Sequence, residues 1–552
     1  MSLLLMLLLT TGQMDRTITP LMEHSAAATG PAAPDVAVVC PAAFCDALGP
    51  WVEYRQRQGH RVAIVSNLGS ADEIRRRIRD VARGGRLRFV VLVGDAEPDM
   101  FWDETLRARC VPMHYAKARV NVRWGSLPTL STDNWYVQPD EATDDDPKPQ
   151  WAIGRLTADS PDELRHIVDK ILAYERSEDF GPWRRQLNFV AGVGGFGAIA
   201  DLVIESAARY FLTQSIPADY RVSMTYGSWQ SPYCPDPRRF RETTLRRLNE
   251  GSLFWVYIGH GDHLGLDRVY APDGEHPVLE AADVEALGCG HGRPIALFMS
   301  CYAGAIDARN DCLAEIMLRT DGGPVAVLAG SRVTMPYAMT VLATCLTDEC
   351  FRAHRQTLGE AVLYAKQNML RHAADGDLRR SILDSLAAAI SPDREQLTAE
   401  RAEHVLMFNL IGDPLLRLRH PQAIKLEGPA SAPAGQTVEL GGVCPIDGHG
   451  TLELVVRRDR LLFDRPQRAK YPRTAEGIDQ LQAVYERAND RRVTVMEVEI
   501  RGGRFTARLP LPRDLQGPCH VCVGVEGAKD FASGALDLEV TPITAGREVL
   551  RK

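Results

Sequence analysis

Short apolar runs alternating with amphipathic stretches fill most of the chain. Val36–Val39, Val62–Val65 and Phe89-Val90-Val91-Leu92-Val93 are strand candidates, and the last ends at Gly94-Asp95. Trp51–Gln58 and Ala71–Ala82 between them carry helical spacing. A strand covered on both faces has no polar side to alternate with, so continuous apolar runs point to parallel strands beneath helices. Ser160-Pro161-Asp162-Glu163 reads as a helix start: the serine can cap, proline suits the first turn, and the glutamate can close a capping box. Leu164, Ile167, Val168, Ile171 and Leu172 follow at helical spacing. Gly181-Pro182 breaks the pattern, and a second α/β run begins. Its strand candidates are Leu187–Val193, Leu253–Ile258, Ile295–Ser300 and Val325–Ala329, with helices at Asp201–Leu212 and Leu313–Leu318 among those between. Alternating strands and helices predict a mostly parallel sheet covered on both faces, with ligand sites beyond the carboxyl ends of its strands.

After Leu418 the pattern changes. Thr437–Leu440, Leu452–Val456, Val493–Ile500, Phe505–Leu509, His520–Val525 and Leu536–Val540 are short alternating segments punctuated by Gly, Pro and Asp. They predict a small all-β sandwich of immunoglobulin-like type. The expected organisation is a leader and linker over 1–33, an α/β subdomain over 34–180, a second and catalytic one over 181–420, and the sandwich over 421–552. Leu3–Leu9 is an apolar run of signal-peptide length with no Lys or Arg before it. If residues 1–12 act as a signal the chain is secreted or periplasmic, and otherwise cytoplasmic. No segment is long enough to span a bilayer.

Composition removes some classes. A net charge of −8 over 552 residues leaves no basic footprint for nucleic acid. Twelve scattered cysteines form no disulfide framework of the small secreted kind. Cys519-His520-Val521-Cys522 lies in a strand-like run, where residues i and i+3 point to opposite faces, which argues against a metal or redox pair. The acidic loop Asp140–Asp146 has the oxygen donors of a calcium site, although a solvated surface loop is the plainer expectation.

Two strand ends carry chemistry. Phe254-Trp255-Val256-Tyr257-Ile258 runs into Gly259-His260-Gly261-Asp262, and Ile295-Ala296-Leu297-Phe298-Met299 runs into Ser300-Cys301-Tyr302-Ala303-Gly304. A lone cysteine after an apolar strand is most often a core thiol, and a lone His-Gly most often a turn; His291-Gly292, with no strand before it, is such a turn. A histidine and a cysteine on consecutive strand ends of a parallel sheet would instead face one cleft. A thiolate is then the nucleophile and an imidazole its proton partner. The backbone N–H groups of Gly261 and Cys301 are candidate donors to a developing oxyanion.

Tyr257-Ile258-Gly259-His260-Gly261 and Ser300-Cys301-Tyr302-Ala303-Gly304 resemble the catalytic histidine and cysteine segments of the gingipain family, a branch of the caspase-like cysteine peptidases. Val91-Leu92-Val93-Gly94-Asp95, Ala152-Ile153-Gly154-Arg155-Leu156 with Tyr174-Glu175, and Asn409-Leu410-Ile411-Gly412-Asp413-Pro414 resemble further blocks of that family. The resemblance implies a caspase-like fold in two subdomains and an endopeptidase using Cys301 and His260, with protein or peptide substrates and no cofactor in the chemistry. It also implies that Asp201 lies at the base of a pocket for a basic P1 side chain, where the alternative is a helix-start residue. Gingipains R carry a glutamate thought to orient the histidine, and this sequence has Val193 there, which implies a simple dyad or a different orienting group. About twenty further residues around Pro217–Arg239 could form a lid. A transpeptidase with the same dyad and a weakly catalytic binding protein are the rival readings.

Overall fold

The computed structural model describes residues 33–96, 104–193, 215–371, 378–390, 396–468 and 470–543. Ten strands form one sheet: β1 (Val36–Cys40), β2 (Val62–Ser66), β3 (Phe89–Val93), β4 (Ala152–Leu156), β5 (Gln186–Ala191), β6 (Arg221–Tyr226), β7 (Phe254–Ile258), β8 (Ile295–Met299), β9 (Ala326–Gly330) and β10 (Phe408–Ile411). Their order is β2-β1-β3-β4-β10-β9-β8-β7-β5-β6. Strands β1, β3, β8 and β9 are buried along their whole length, as continuous apolar runs require.

Every neighbouring pair in the sheet is parallel except β9 with β10. Because β10 is parallel to β4, the carboxyl ends of β1–β4 face one edge and those of β5–β9 the other. Only the second edge joins the ends of β7 and β8.

Helices cover the sheet and begin where the sequence marks them. The Ser70 hydroxyl accepts the N–H of Glu73, and the Glu73 carboxylate accepts that of Ser70, a capping box opening Ala71–Ala82. At Pro161–Arg176 the Ser160 cap forms, but Glu163 reaches past it to the N–H of Asp159.

The motif residues outside the strand ends are internal ion pairs. Arg55 is fully buried and donates to Glu175 at 3.0 Å and to Asp413 at 2.6 Å, with Trp51 Nε1 donating to the same Asp413 oxygen. One guanidinium thereby fastens Cys45–Arg57 to Pro161–Arg176 and to the turn after β10. Arg155, also fully buried, forks onto Asp133 at 2.6 and 2.9 Å and donates to the carbonyls of Gly94, Asp95 and Val111. A planar cation with five donors suits such a crossing point.

The sandwich consists of two sheets over a shared apolar core that includes Leu440, Leu452, Leu454, Phe505, Val521 and Val523. Cys519 faces that core and Cys522 faces away, donating to the carbonyl of Ala218 at 3.3 Å. Between Gly448–Val456 and Arg492–Ile500 the sandwich carries a helix, Ala475–Asn489, that the strand-like surroundings do not announce. This helix meets the edge strand β6 of the main sheet at Met224. Asn489 Oδ1 accepts the N–H of Met224 at 2.7 Å and its Nδ2 donates to the Met224 carbonyl at 3.0 Å, as a neighbouring strand would. Arg458 and Arg468 add bonds to carbonyls of Ile216, Pro217, Tyr220, Trp229 and Ser231. The stretch expected as a lid therefore contains edge strand β6 and is fastened to the sandwich.

Candidate active site

Strands β7 and β8 are adjacent and in register, with Ile258 opposite Met299. The N–H of Gly259 donates to the Met299 carbonyl at 3.2 Å, so the pairing runs to the residues flanking His260 and Cys301. Gly261 lies directly against the second strand end. A Cβ there would stand 2.9 Å from the Cys301 carbonyl oxygen and from Ser300 Cβ, so only glycine lets the two backbones approach this closely. His260 is exposed and Cys301 half-buried. His291 precedes β8 and sits at the opposite edge of the sheet, as a turn residue should.

A third strand end completes the surroundings of the thiol. The N–H of Thr334, in the loop after β9, donates to Cys301 Sγ at 3.3 Å, and the Thr334 hydroxyl lies 3.6 Å from it. Tyr302 has φ of +55°, an uncommon conformation for an aromatic residue, and its N–H donates to the Arg332 carbonyl. The Thr334 loop is held on both sides. Arg332 forks onto Asp307 at 2.9 and 2.6 Å, both residues nearly sealed from solvent, and Asn121 donates to the carbonyl of Val333. Met335 donates to Nε2 of His404 at 2.8 Å, while Nδ1 of that ring bonds the Glu400 carbonyl. Burial lowers the His404 pKa to about 4, so the ring stays a neutral acceptor. Sequence reading passed over Thr334 and His404. Thr334 follows the next apolar strand, so the rule that found His260 and Cys301 could have found it too.

The other expected residues are placed less directly. Asp201 and the helix Asp201–Leu212 lie outside the described residues. Val193 closes β5 on the same edge as His260, and its N–H donates to Asp267 at 3.0 Å. In the acidic loop, Asp140 pairs with Arg79 at 3.0 Å and Asp145 with Arg119. Three other carboxylates, of Asp95, Asp311 and Glu315, offer oxygens within 4.8 Å of one another, the donor type of a hard cation. Arg319 pairs with Asp159 and Asp311 beside them.

Burial pushes Asp95 up to about 6, and burial with the Asp95 charge raises Glu315 well above the carboxylate range. A folded-state pKa above the unfolded value means that the folded protein holds its proton more tightly. The stability this contributes is full below the unfolded value and is lost as pH rises through about 6. In EDTA, thermal midpoints are expected to fall as pH is raised from about 4 to about 7, by an amount worth up to about 3 kcal/mol. Asp95→Asn should flatten that fall, and an unchanged slope in a thermal scan would show that other groups cause it.

The sheet edge thus presents a histidine and a cysteine on consecutive, in-register strand ends. The chain belongs to peptidase family C25, whose model matches residues 29–419. Lys-gingipain of Porphyromonas gingivalis strain ATCC 33277 is 24% identical over 309 residues, and Lys-gingipain W83 of the same species 22% over 310 residues. Each match covers 53% of this chain but only 15% of the relative's length. The crystal structure of the Arg specific cysteine proteinase gingipain R shares the fold at a TM-score of 0.51 and 16% identity, covering 94% of this chain and all of the other. The complex of Porphyromonas gingivalis RgpB pro- and mature domains does so at 0.50 and 17%, covering 92% and 99%.

Proposed function

We propose that this chain cleaves internal peptide bonds through a thioester on Cys301, with His260 as proton carrier. The observation carrying the reading is the in-register pairing of β7 with β8, which sets His260 and Cys301 at equivalent places beyond Ile258 and Met299. The thiolate attacks the scissile carbonyl, and the oxyanion draws on the N–H groups of Gly261 and Cys301. The imidazole returns the proton to the leaving amine, and water then hydrolyses the thioester. Thiol, imidazole and main-chain donors supply every role, so the chemistry needs no cofactor.

The preferred P1 residue is basic, with Asp201 the carboxylate that receives it. The names of matched proteins, Lys-gingipain and an Arg specific cysteine proteinase, support this preference. A guanidinium or ammonium desolvated in a pocket needs an anionic partner. The test is a cleavage profile on a quenched peptide library, repeated with Asp201→Asn, which keeps the shape and removes the charge. The expected profile is Arg or Lys at P1. In the variant, kcat/KM for those substrates should fall by an amount worth about 3–5 kcal/mol and hardly change for neutral ones. A uniform loss would make Asp201 structural; an unchanged basic preference would move the pocket acid elsewhere, with Asp262 next to be tried.

A further inference from the structure

Three chain segments meet behind the turn that carries His260. The buried hydroxyl of Tyr257 donates to the His260 carbonyl at 2.7 Å and accepts the N–H of Asp267 at 3.2 Å. Asp267 Oδ2 accepts the N–H of Val193 at 3.0 Å, and Oδ1 accepts that of Arg268 at 2.8 Å. Asp267 reaches this place on the returning arm of the loop after His260, which folds back where Asp262 donates to the Gly265 carbonyl and Leu266 to that of Leu279. The site is built to admit these groups. A Cβ on Gly192 would stand 2.5 Å from Asp267 Oδ2, and one on Gly259 would stand 2.6 Å from the Tyr257 oxygen. Burial, and after it the Asp267 charge, raise the Tyr257 pKa far above the ordinary phenol value, so the hydroxyl remains a donor throughout the working range.

We propose that Asp267 is a positioning residue for His260, tying the ends of β5 and β7 together through Val193 and Tyr257 so that the histidine turn is fixed against Cys301. The proposal rests on the Cys301–His260 reading. Asp267 acts here through main-chain groups. Its carboxylate spans N–H donors of two chain segments, and bonds to a charged acceptor are stronger than neutral ones. A displacement of about 1 Å in a reacting group costs on the order of 10²-fold in rate, so loosening this knot should be felt in turnover more than in binding.

The experiment uses the full chain carrying Asp267→Asn or Tyr257→Phe. It reads kcat and KM on a peptide substrate, and the rate at which iodoacetamide alkylates Cys301, followed by mass spectrometry of that peptide at about pH 7 and about pH 10. The expected result is a fall in kcat of about 10–100-fold with KM changed by no more than about twofold. Alkylation should slow at about pH 7, where the thiolate depends on the imidazole. It should match wild type at about pH 10, where hydroxide alone makes the thiolate. Wild-type kcat in Asp267→Asn, or alkylation slowed equally at both pH values, would overturn the proposal; the second result marks general distortion. If Tyr257→Phe fails to fold, Asp267→Asn alone decides. His260→Ala is run alongside. Wild-type kcat and alkylation in that variant would sink the dyad itself, a failure that does not depend on position 267 and would take this proposal with it.

Discussion

Cys301→Ala protein is expected to fold as wild type does, to cleave nothing and to lose labelling by an electrophilic peptide. The substitution removes one half-buried sulfur atom, so its structural cost is small. Its chemical cost is total, because no other described thiol stands at the carboxyl end of β7, β8 or β9. His260→Ala should retain the fold and lose about 10²–10⁴-fold in turnover, the usual contribution of general acid–base catalysis. His291→Ala, at the far edge of the sheet, should leave turnover within about twofold of wild type. The measurement is initial rate on one fluorogenic peptide with all three variants at matched concentration. Residual turnover in pure Cys301→Ala would remove the nucleophile from the scheme, and equal losses at His260 and His291 would remove the argument from strand ends.

The largest effect on stability is expected from Arg55→Met. Glu175 and Asp413 both bond Arg55, and all three side chains are sealed from solvent. Removing the guanidinium leaves Asp413 without its counter-ion and Glu175 with the more distant Arg417 at 3.7 Å. Deleting one partner of a buried pair costs about 3–5 kcal/mol, and here two acids lose the same partner. Chemical denaturation should show the midpoint lowered accordingly. The triple replacement Arg55→Met, Glu175→Gln and Asp413→Asn should recover a substantial part of the loss, since it removes the stranded charges. A midpoint within about 1 kcal/mol of wild type for the single variant would mean that water reaches the pair and solvates it.

What could be read from the sequence follows from burial. Strands β1, β3, β7, β8 and β9 are apolar because helices cover both faces, and their ends located His260 and Cys301 without any structure. Strand β6 lies at an edge and alternates Arg221, Val222, Ser223, Met224, Thr225 and Tyr226, so it resembles a loop in an insertion. Strand β10, Phe408–Ile411, is too short to stand out; its neighbours could be quoted as a motif while its place between β4 and β9 stayed hidden. The helix Ala475–Asn489 was missed because alternating strands surround it. Partnerships across the chain were the least legible. Nothing local joins Thr334 to Cys301, Asp267 to Val193 or Asp95 to Glu315; only the strand order does. The motif blocks around Arg155, Glu175 and Asp413 could be quoted as signatures, and their physical reason, two buried arginines each bridging several chain segments, needed the fold.

The central place of β10 bears on how the chain folds as it is made. β4 and β9 are complete long before residues 408–411 exist, and β10 is the strand that joins them. Before those residues are made, β4 and β9 each lack, along one edge, the neighbour that β10 provides in the finished sheet. Such edges recruit other strands readily, and closing a gap of this sequence length is slow. Ile411, opposite Arg155 on one side and Val327 on the other, is where the two runs of strands meet. The helix Gln396–Met407, emerging just ahead of β10, brings with it the His404 that latches the Thr334 loop. Joining of the two runs of strands and fastening of the Thr334 loop beside Cys301 thus fall at the same point of synthesis.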